Sequence, residues 1–87
     1  MYYIYVLLSK KDHRFYVGFS HDLKRRLSEH NKGLVKSTCN RIPFELVYYE
    51  AFKYEKDARN QELFYKTGQG RRILKARLKT VEIGRVA

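Results

Sequence analysis

Tyr2-Tyr3-Ile4-Tyr5-Val6-Leu7-Leu8, a polar turn at residues 9–13, Phe15-Tyr16-Val17-Gly18-Phe19-Ser20 and then Asp22-Leu23-Lys24-Arg25-Arg26-Leu27-Ser28-Glu29-His30 decide the fold. The first two runs are β-branched and aromatic and have the length of strands. The polar residues between them predict a β-hairpin with a longer loop. The third run changes period: Leu23 and Leu27 lie one helical turn apart, as do Arg26 and His30. Two tyrosine-bearing strands therefore lead into a helix that presents an arginine and a histidine.

Working outward, Tyr2–Leu8 is nearly continuous in apolar residues and reads as a central strand covered on both faces. Arg14–Phe19 reads as the second strand. Gly18 in its interior marks a place where another chain segment or a ligand can approach closely. Ser20 is the expected N-cap of the first helix, with Asp22 in its first turn and Gly33 as its stop. Residues 32–43 form a polar, basic connector, long for a compact domain, and such loops tend to be functional. Phe44–Phe52 reads as the third strand, with Pro43 at its start, where a missing N–H does least harm. Lys53–Lys66 is the expected second helix and Gly68-Gln69-Gly70 a break. Arg71–Thr80 is the expected third helix, with Ile73, Leu74 and Leu78 inward. The order β-β-α-β-α-α predicts an α/β domain with a small three-stranded antiparallel sheet and flanking helices. Residues 1–80 make up that domain and 81–87 a tail.

The 87 residues bound one small domain, and the eight tyrosines and five phenylalanines argue for a folded globule. Nineteen Lys and Arg against nine Asp and Glu give a net charge of +10, an excess that favours a polyanionic partner, most simply nucleic acid. No stretch resembles a basic membrane-surface helix. The single cysteine, Cys39, excludes an internal disulfide and a cysteine metal cluster. It suits a reducing compartment, and the cytoplasm is the default location. The run Tyr2–Leu8 is too short for a signal peptide or a membrane span.

The chemistry-bearing residues each have two readings. Glu62 follows Ala58 by four residues and precedes Tyr65 by three, so it shares their helix face. A carboxylate turned toward a sheet is costly unless it is paired or binds a cation. Spacing alone favours an ion pair with Lys66, four residues on. Arg26 flanks the Leu23/Leu27 stripe and could grip phosphate oxygens with both arms of its guanidinium, although solvation is the ordinary fate of an arginine. His30 could bond a tyrosine hydroxyl or a substrate, or move a proton. Its plainer reading is a helix-terminal histidine favoured by the dipole. A tyrosine titrates near 10, so Tyr5 or Tyr16 would need a nearby cation to act as a base, and several of the eight must be core residues. Lys36, Ser37, Thr38 and Arg41 of the connector could donate to phosphate oxygens. So could Lys24, Lys66, Arg71 and Arg72 on the helices.

Tyr3-Ile4-Tyr5 followed by Tyr16-Val17-Gly18 resembles the paired signature of the GIY-YIG nucleases. Asp22–Gly33 resembles their arginine-bearing first helix. Arg41-x-Pro43-Phe44-x-Leu46-Val47-Tyr48 resembles their third strand, and Ala58-x-x-x-Glu62-x-x-x-Lys66 their glutamate-bearing helix. The resemblance covers roughly residues 2–78 and is closest to the short type in which the nuclease module is the whole protein. It implies one divalent ion, Mg²⁺ or Mn²⁺, on Glu62, and selects Arg26 over its neighbours as the phosphate ligand. It also implies that Tyr5 orients or activates water, with Tyr16 as partner, His30 beside them and Gly18 leaving room. Two departures stand out. The leading glycine of the first signature is Tyr3, as is familiar in short members, and no asparagine follows Asn60, where larger members carry one.

The expected function is a metal-dependent endonuclease acting on nucleic acid. DNA is the expected substrate, selected by structure rather than by sequence. A non-catalytic nucleic-acid-binding module on the same fold is the alternative, and a protein-interaction module a third. A domain this small is expected to work with a partner protein or as a homodimer.

Overall fold

The structure, a computed structural model, describes residues 1–81. Its elements in chain order are β1 (Tyr2–Ser9), β2 (Phe15–Ser20), α1 (Leu23–Asn31), a short 3-10 turn (Cys39–Arg41), β3 (Phe44–Phe52), α2 (Glu55–Tyr65) and α3 (Gly68–Arg77). The expected α/β architecture is present: one antiparallel sheet, in the order β2-β1-β3, flanked by helices. Apart from Val81, the expected tail lies outside the described residues.

β1 is central because its residues can be buried on both faces. Ile4 and Val6 pack with Val17, Ala58, Tyr65 and Leu74 on the side of α2 and α3. Tyr5 and Leu7 pack with Phe44, Leu23 and Leu27 on the side of α1. The two-residue repeat of a strand thus splits one apolar run into two cores. Against β3 the register shifts between Val6 and Leu7, so that Val6 faces Tyr48 and Leu7 faces Leu46. Val47 is the extra residue of a bulge there, which bends the edge strand.

The start of α1 differs from expectation. Asp22, not Ser20, is the N-cap, accepting from the Arg25 N–H at 3.1 Å. Ser20 instead accepts from the Asp22 N–H at 2.9 Å and so holds the capping residue in place. Gly33, at φ 75°, supplies the left-handed residue that stops the helix. Just before it, the Asn31 side chain accepts from Phe44 N–H at 2.7 Å and donates to Phe44 C=O at 3.1 Å. That two-way bond pins the end of α1 to the start of β3 and fixes where His30 sits.

The glycines after α2 do not break the chain. Lys66 and Thr67 make the turn, Thr67 caps the next helix by accepting from Gly70 N–H at 3.0 Å, and α3 begins at Gly68. A Cβ on Gly70 would fall on the backbone carbonyl of Phe64. Gly70 is therefore a close-packing residue where the first turn of α3 crosses the end of α2. Ile73, expected inward, is 38% exposed, while Leu74 and Leu78 fill the core. Leu74 and Leu78 lie one turn apart on one face, and Ile73, one residue before Leu74, falls beside that face.

Candidate active site

Tyr5 is 2% exposed and lies opposite Gly18 in the β1–β2 register. A Cβ on Gly18 would land on the Tyr5 ring and hydroxyl. The missing side chain thus lets the phenol lie across β2, toward the edge of the sheet. Tyr16, two residues earlier on the same face of β2, lies 6.4 Å from Tyr5 between ring centroids.

The Tyr5 hydroxyl has polar neighbours on two sides. The Arg26 guanidinium of α1 is close enough to oppose the rise of its pKa, and His30, one helical turn on, has its Nε2 at 2.9 Å. On its other side, His30 Nδ1 is 2.7 Å from Thr38 Oγ1, whose hydroxyl donates to Val35 C=O. Thr38 spends its hydroxyl proton on Val35 C=O, so it accepts from His30 Nδ1–H, and the Tyr5 proton points at His30 Nε2. Nε2 is then the bare nitrogen, Nδ1 carries the proton, and that proton is donated to Thr38. The chain Tyr5 → His30 → Thr38 → Val35 C=O has one consistent direction. His30 and Thr38 are fully buried.

The electrostatics follow from this burial. Desolvation pushes the Tyr5 phenol up to about 12, with Tyr16 and Glu62 adding to the rise and Arg26 opposing it. Burial, together with the positive charge of Arg26, pulls His30 down to about 4. At neutral pH both groups are uncharged, and Arg26 is the cation beside them. Arg26 itself is held in place by Glu29 at 3.0 Å.

Glu62 comes to this centre from the other side of the sheet. α2 lies across the sheet, touching all three strands, and part of it overhangs the edge strand β2. Its Arg59 guanidinium lies 3.7 Å over the ring of Phe19, on one face, and its Lys66 ammonium 5.9 Å over Tyr16, on the other. Glu62, between them, is near enough to act on the Tyr5 phenol. Its carboxylate is bonded to Lys66 at 3.2 Å and lies 3.6 Å from Arg59. The ion pair that spacing favoured is therefore present, on the same carboxylate that faces the tyrosine centre.

Tyr5, Tyr16, Gly18, Arg26, His30, Glu62 and Lys66 are thus brought together at the β2 edge. The remaining basic residues are placed differently. Thr38 is buried on His30 and is closed to a phosphate. Arg41 is 2.6 Å from Asp12, an ion pair that holds the Asp12 carboxyl at about 2. Lys24, Lys36, Arg71 and Arg72 are exposed. The role of Thr38 was beyond sequence reasoning, because its contact with His30 depends on the path of the chain after Gly33.

A fold of this kind, carrying a paired tyrosine–arginine–histidine centre with a helix glutamate, defines a class. Residues 1–75 match the GIY-YIG catalytic domain, and the chain belongs to the GIY-YIG family, a nuclease-type family. Its relatives include a UPF0213 protein of Lacticaseibacillus paracasei, 44% identical over 66 residues, which cover 75% of this chain and 73% of that protein. A UPF0213 protein of Clostridium perfringens is 37% identical over 67 residues, 76% of this chain and 71% of that one. Among solved structures, the chain is similar to the solution structure of UPF0213 protein BH0048 from Bacillus halodurans. That likeness has a TM-score of 0.54 and 32% identity, over 87% of this chain and 84% of the other.

Nucleases of this family generally use a divalent metal. The described residues contain no group of three or more His, Cys, Asp and Glu that could hold an ion. They offer a single carboxylate, Glu62, whose side chain is 14% exposed and whose neighbours are two flexible cations. A lone hard-oxygen ligand fits Mg²⁺ or Mn²⁺, which keep several waters and take phosphate oxygens as further ligands. It does not fit a zinc site, which needs three or four protein ligands. No helix among the described residues is long and apolar enough to cross a membrane.

Proposed function

We propose that this chain is a divalent-metal-dependent endonuclease that hydrolyses phosphodiester bonds in nucleic acid. In this reading the substrate is DNA selected by its structure, the location is the cytoplasm, and a partner protein or a second copy helps hold the substrate. The observation that carries the reading is the meeting of Tyr5, Tyr16, Arg26, His30 and Glu62 at one sheet edge, in a chain of net charge +10.

The residues divide the work as follows. Arg26 grips the non-bridging oxygens of the phosphate, already oriented by Glu29. With a phenol held near 12, Tyr5 does not act as a free base at neutral pH. It works as a relay: the attacking water gives its proton to the Tyr5 oxygen as the Tyr5 proton passes to the bare His30 Nε2. Arg26 is one of the two forces that keep His30 neutral, and a bound phosphate offsets that positive charge, making His30 a better acceptor when substrate is present. Thr38 keeps the acceptor nitrogen facing Tyr5. Glu62 would hold the divalent ion, which supplies positive charge for the phosphate and the leaving oxygen. Lys66 and Arg59 would then give up Glu62 and become free for phosphate.

The test is incubation of the protein with branched and linear DNA in Mg²⁺ and then in EDTA. Cleavage only with the metal is expected. Glu62→Ala and Arg26→Ala should each abolish it while leaving DNA binding largely intact. Undiminished cleavage by both variants rejects the mechanism. The alternative, a binding module without catalysis, is favoured by the pairing of Glu62 with its own lysine. It predicts metal-independent binding and no cleavage by the wild type.

A further inference from the structure

Two rails lead away from the candidate centre in the same direction. Along β2, the two-residue repeat runs back from Gly18, under Tyr5, to Tyr16 and then to Arg14. Along α2 and α3, Glu62 is followed one turn later by Lys66, and then by Arg71 and Lys75, one turn apart on α3. Between the rails lies an open groove of about 1200 Å³, lined by Arg14, Tyr16, Lys66, Arg71 and Lys75, with Arg41 and Asp12 at one end.

The cations of this groove fall into two kinds. Arg41 and Lys66 have carboxylate partners, Asp12 and Glu62. Among the described residues, Arg14, Arg71 and Lys75 have none within ion-pair distance. The one acidic side chain lining the groove, Asp12, is neutralised by Arg41. Three unpaired cations facing one open channel form a stretch of positive potential that an external anion would relieve. Arg71 and Lys75 stand one turn apart on α3, and Arg14 lies on the β2 side of the groove. One strand repeat is about 6.6 Å and one helical turn about 5.4 Å, comparable to the spacing of successive phosphates in a nucleic-acid strand. A polymer backbone laid along the groove would meet all three.

We propose that this groove is the path along which a nucleic-acid strand runs away from the Tyr5 centre, its phosphates contacted by Arg14, Arg71 and Lys75. The inference deepens the nuclease reading by assigning the route of the backbone, and its binding test does not depend on cleavage. Affinity is measured by fluorescence anisotropy in EDTA over a range of NaCl concentrations, with a short labelled single-stranded DNA and with the matching duplex. For Arg14→Ala/Lys75→Ala, the slope of log affinity against log salt should fall by about 1.4 on the single strand or about 1.8 on the duplex. Binding at low salt should weaken about tenfold. The probe whose fall reaches its own expected value, about 1.4 for the single strand or about 1.8 for the duplex, identifies the form of the bound strand. Lys53→Ala/Lys56→Ala, just before and in the first turn of α2, should leave the slope unchanged. An unchanged slope in the groove variant overturns the assignment, as does an equal fall in the control variant or the absence of salt-dependent binding by the wild type. Binding as described but no cleavage in Mg²⁺ would sink the nuclease reading and leave the groove standing.

Discussion

The two faces of the sheet each bury a tyrosine-centred hydrogen-bond network, and they are built on opposite plans. On the α2/α3 face, Glu50 accepts from Tyr48 and Tyr65 at 2.5 Å each and from Gln61 at 2.9 Å. Burial alone would raise the Glu50 carboxyl, but these three donors outweigh it and hold the group below its ordinary value. The charge is spent on holding β3 and α2 together. On the α1 face the Tyr5–His30–Thr38 chain is neutral along its length, and the cation beside it, Arg26, stands at the end nearer solvent. The first network has no proton to move without losing a bond. The second has a direction and a bare acceptor nitrogen. The comparison teaches that a buried tyrosine becomes a candidate for chemistry when its partner can take its proton, rather than when its phenol is merely perturbed.

The sharpest way to break this contrast is to remove one hydroxyl from each side. Tyr5→Phe should lower cleavage about 10²- to 10⁴-fold, the usual worth of a positioned proton-transfer group. Tyr65→Phe should leave turnover unchanged and cost about 1–2 kcal/mol in urea unfolding. Equal losses of cleavage in both would erase the distinction.

Acid unfolding separates the networks by pH. His30 has its folded pKa lowered to about 4 from an unfolded value of 6.5, so the unfolded chain binds the extra proton between those values. Stability should therefore be full above 6.5 and fall as the pH drops toward 4, by up to roughly 3 kcal/mol. Glu50, also lowered, adds stability above its ordinary carboxyl range that is lost only at more acid pH. His30→Gln should remove the upper window and leave the lower one, as read from urea midpoints across pH.

Glu50→Ala strands two tyrosine hydroxyls and an amide, and should cost roughly 2–3 kcal/mol of stability. Mg²⁺-dependent cleavage should be preserved at temperatures where the variant is folded. The smallest effect is expected at Thr38. Thr38→Val should lower cleavage about tenfold by freeing the His30 ring, and Thr38→Ser should restore it. Imidazole ¹⁵N shifts should show the Nδ1–H tautomer in the wild type and a mixture in the valine variant.

Much of the sheet was legible in the sequence because its signals are local. Aromatic and β-branched runs marked three strands, and the nearly continuous apolar run Tyr2–Leu8 marked the middle one. The helix starts were less legible. Ser20 and Asp22 are both good caps, and only the backbone path decides that Asp22 serves. Gly68 and Gly70 look like breakers, yet the crowding of α3 against Phe64 makes Gly70 a requirement for helix packing. In the site, Tyr5, Arg26, His30 and Glu62 were singled out by their motif, and their positions on one face or one turn were readable from spacing. The Glu50 network and the His30–Thr38 bond were not, because both join elements far apart along the chain through side-chain geometry that no local pattern encodes. Arg14 was within reach: it continues the same-face repeat of Tyr16 and Gly18.

The vacancy at Gly18 ties the sheet's geometry to the centre more tightly than any side chain there. Any larger residue at position 18 must evict the phenol, and a smaller one at position 5 must leave a hole against the backbone. The two positions form a single lock, so natural drift at either would have to be answered at the other. A double-mutant cycle on the pair would read out how far architecture and reactivity share the same few atoms.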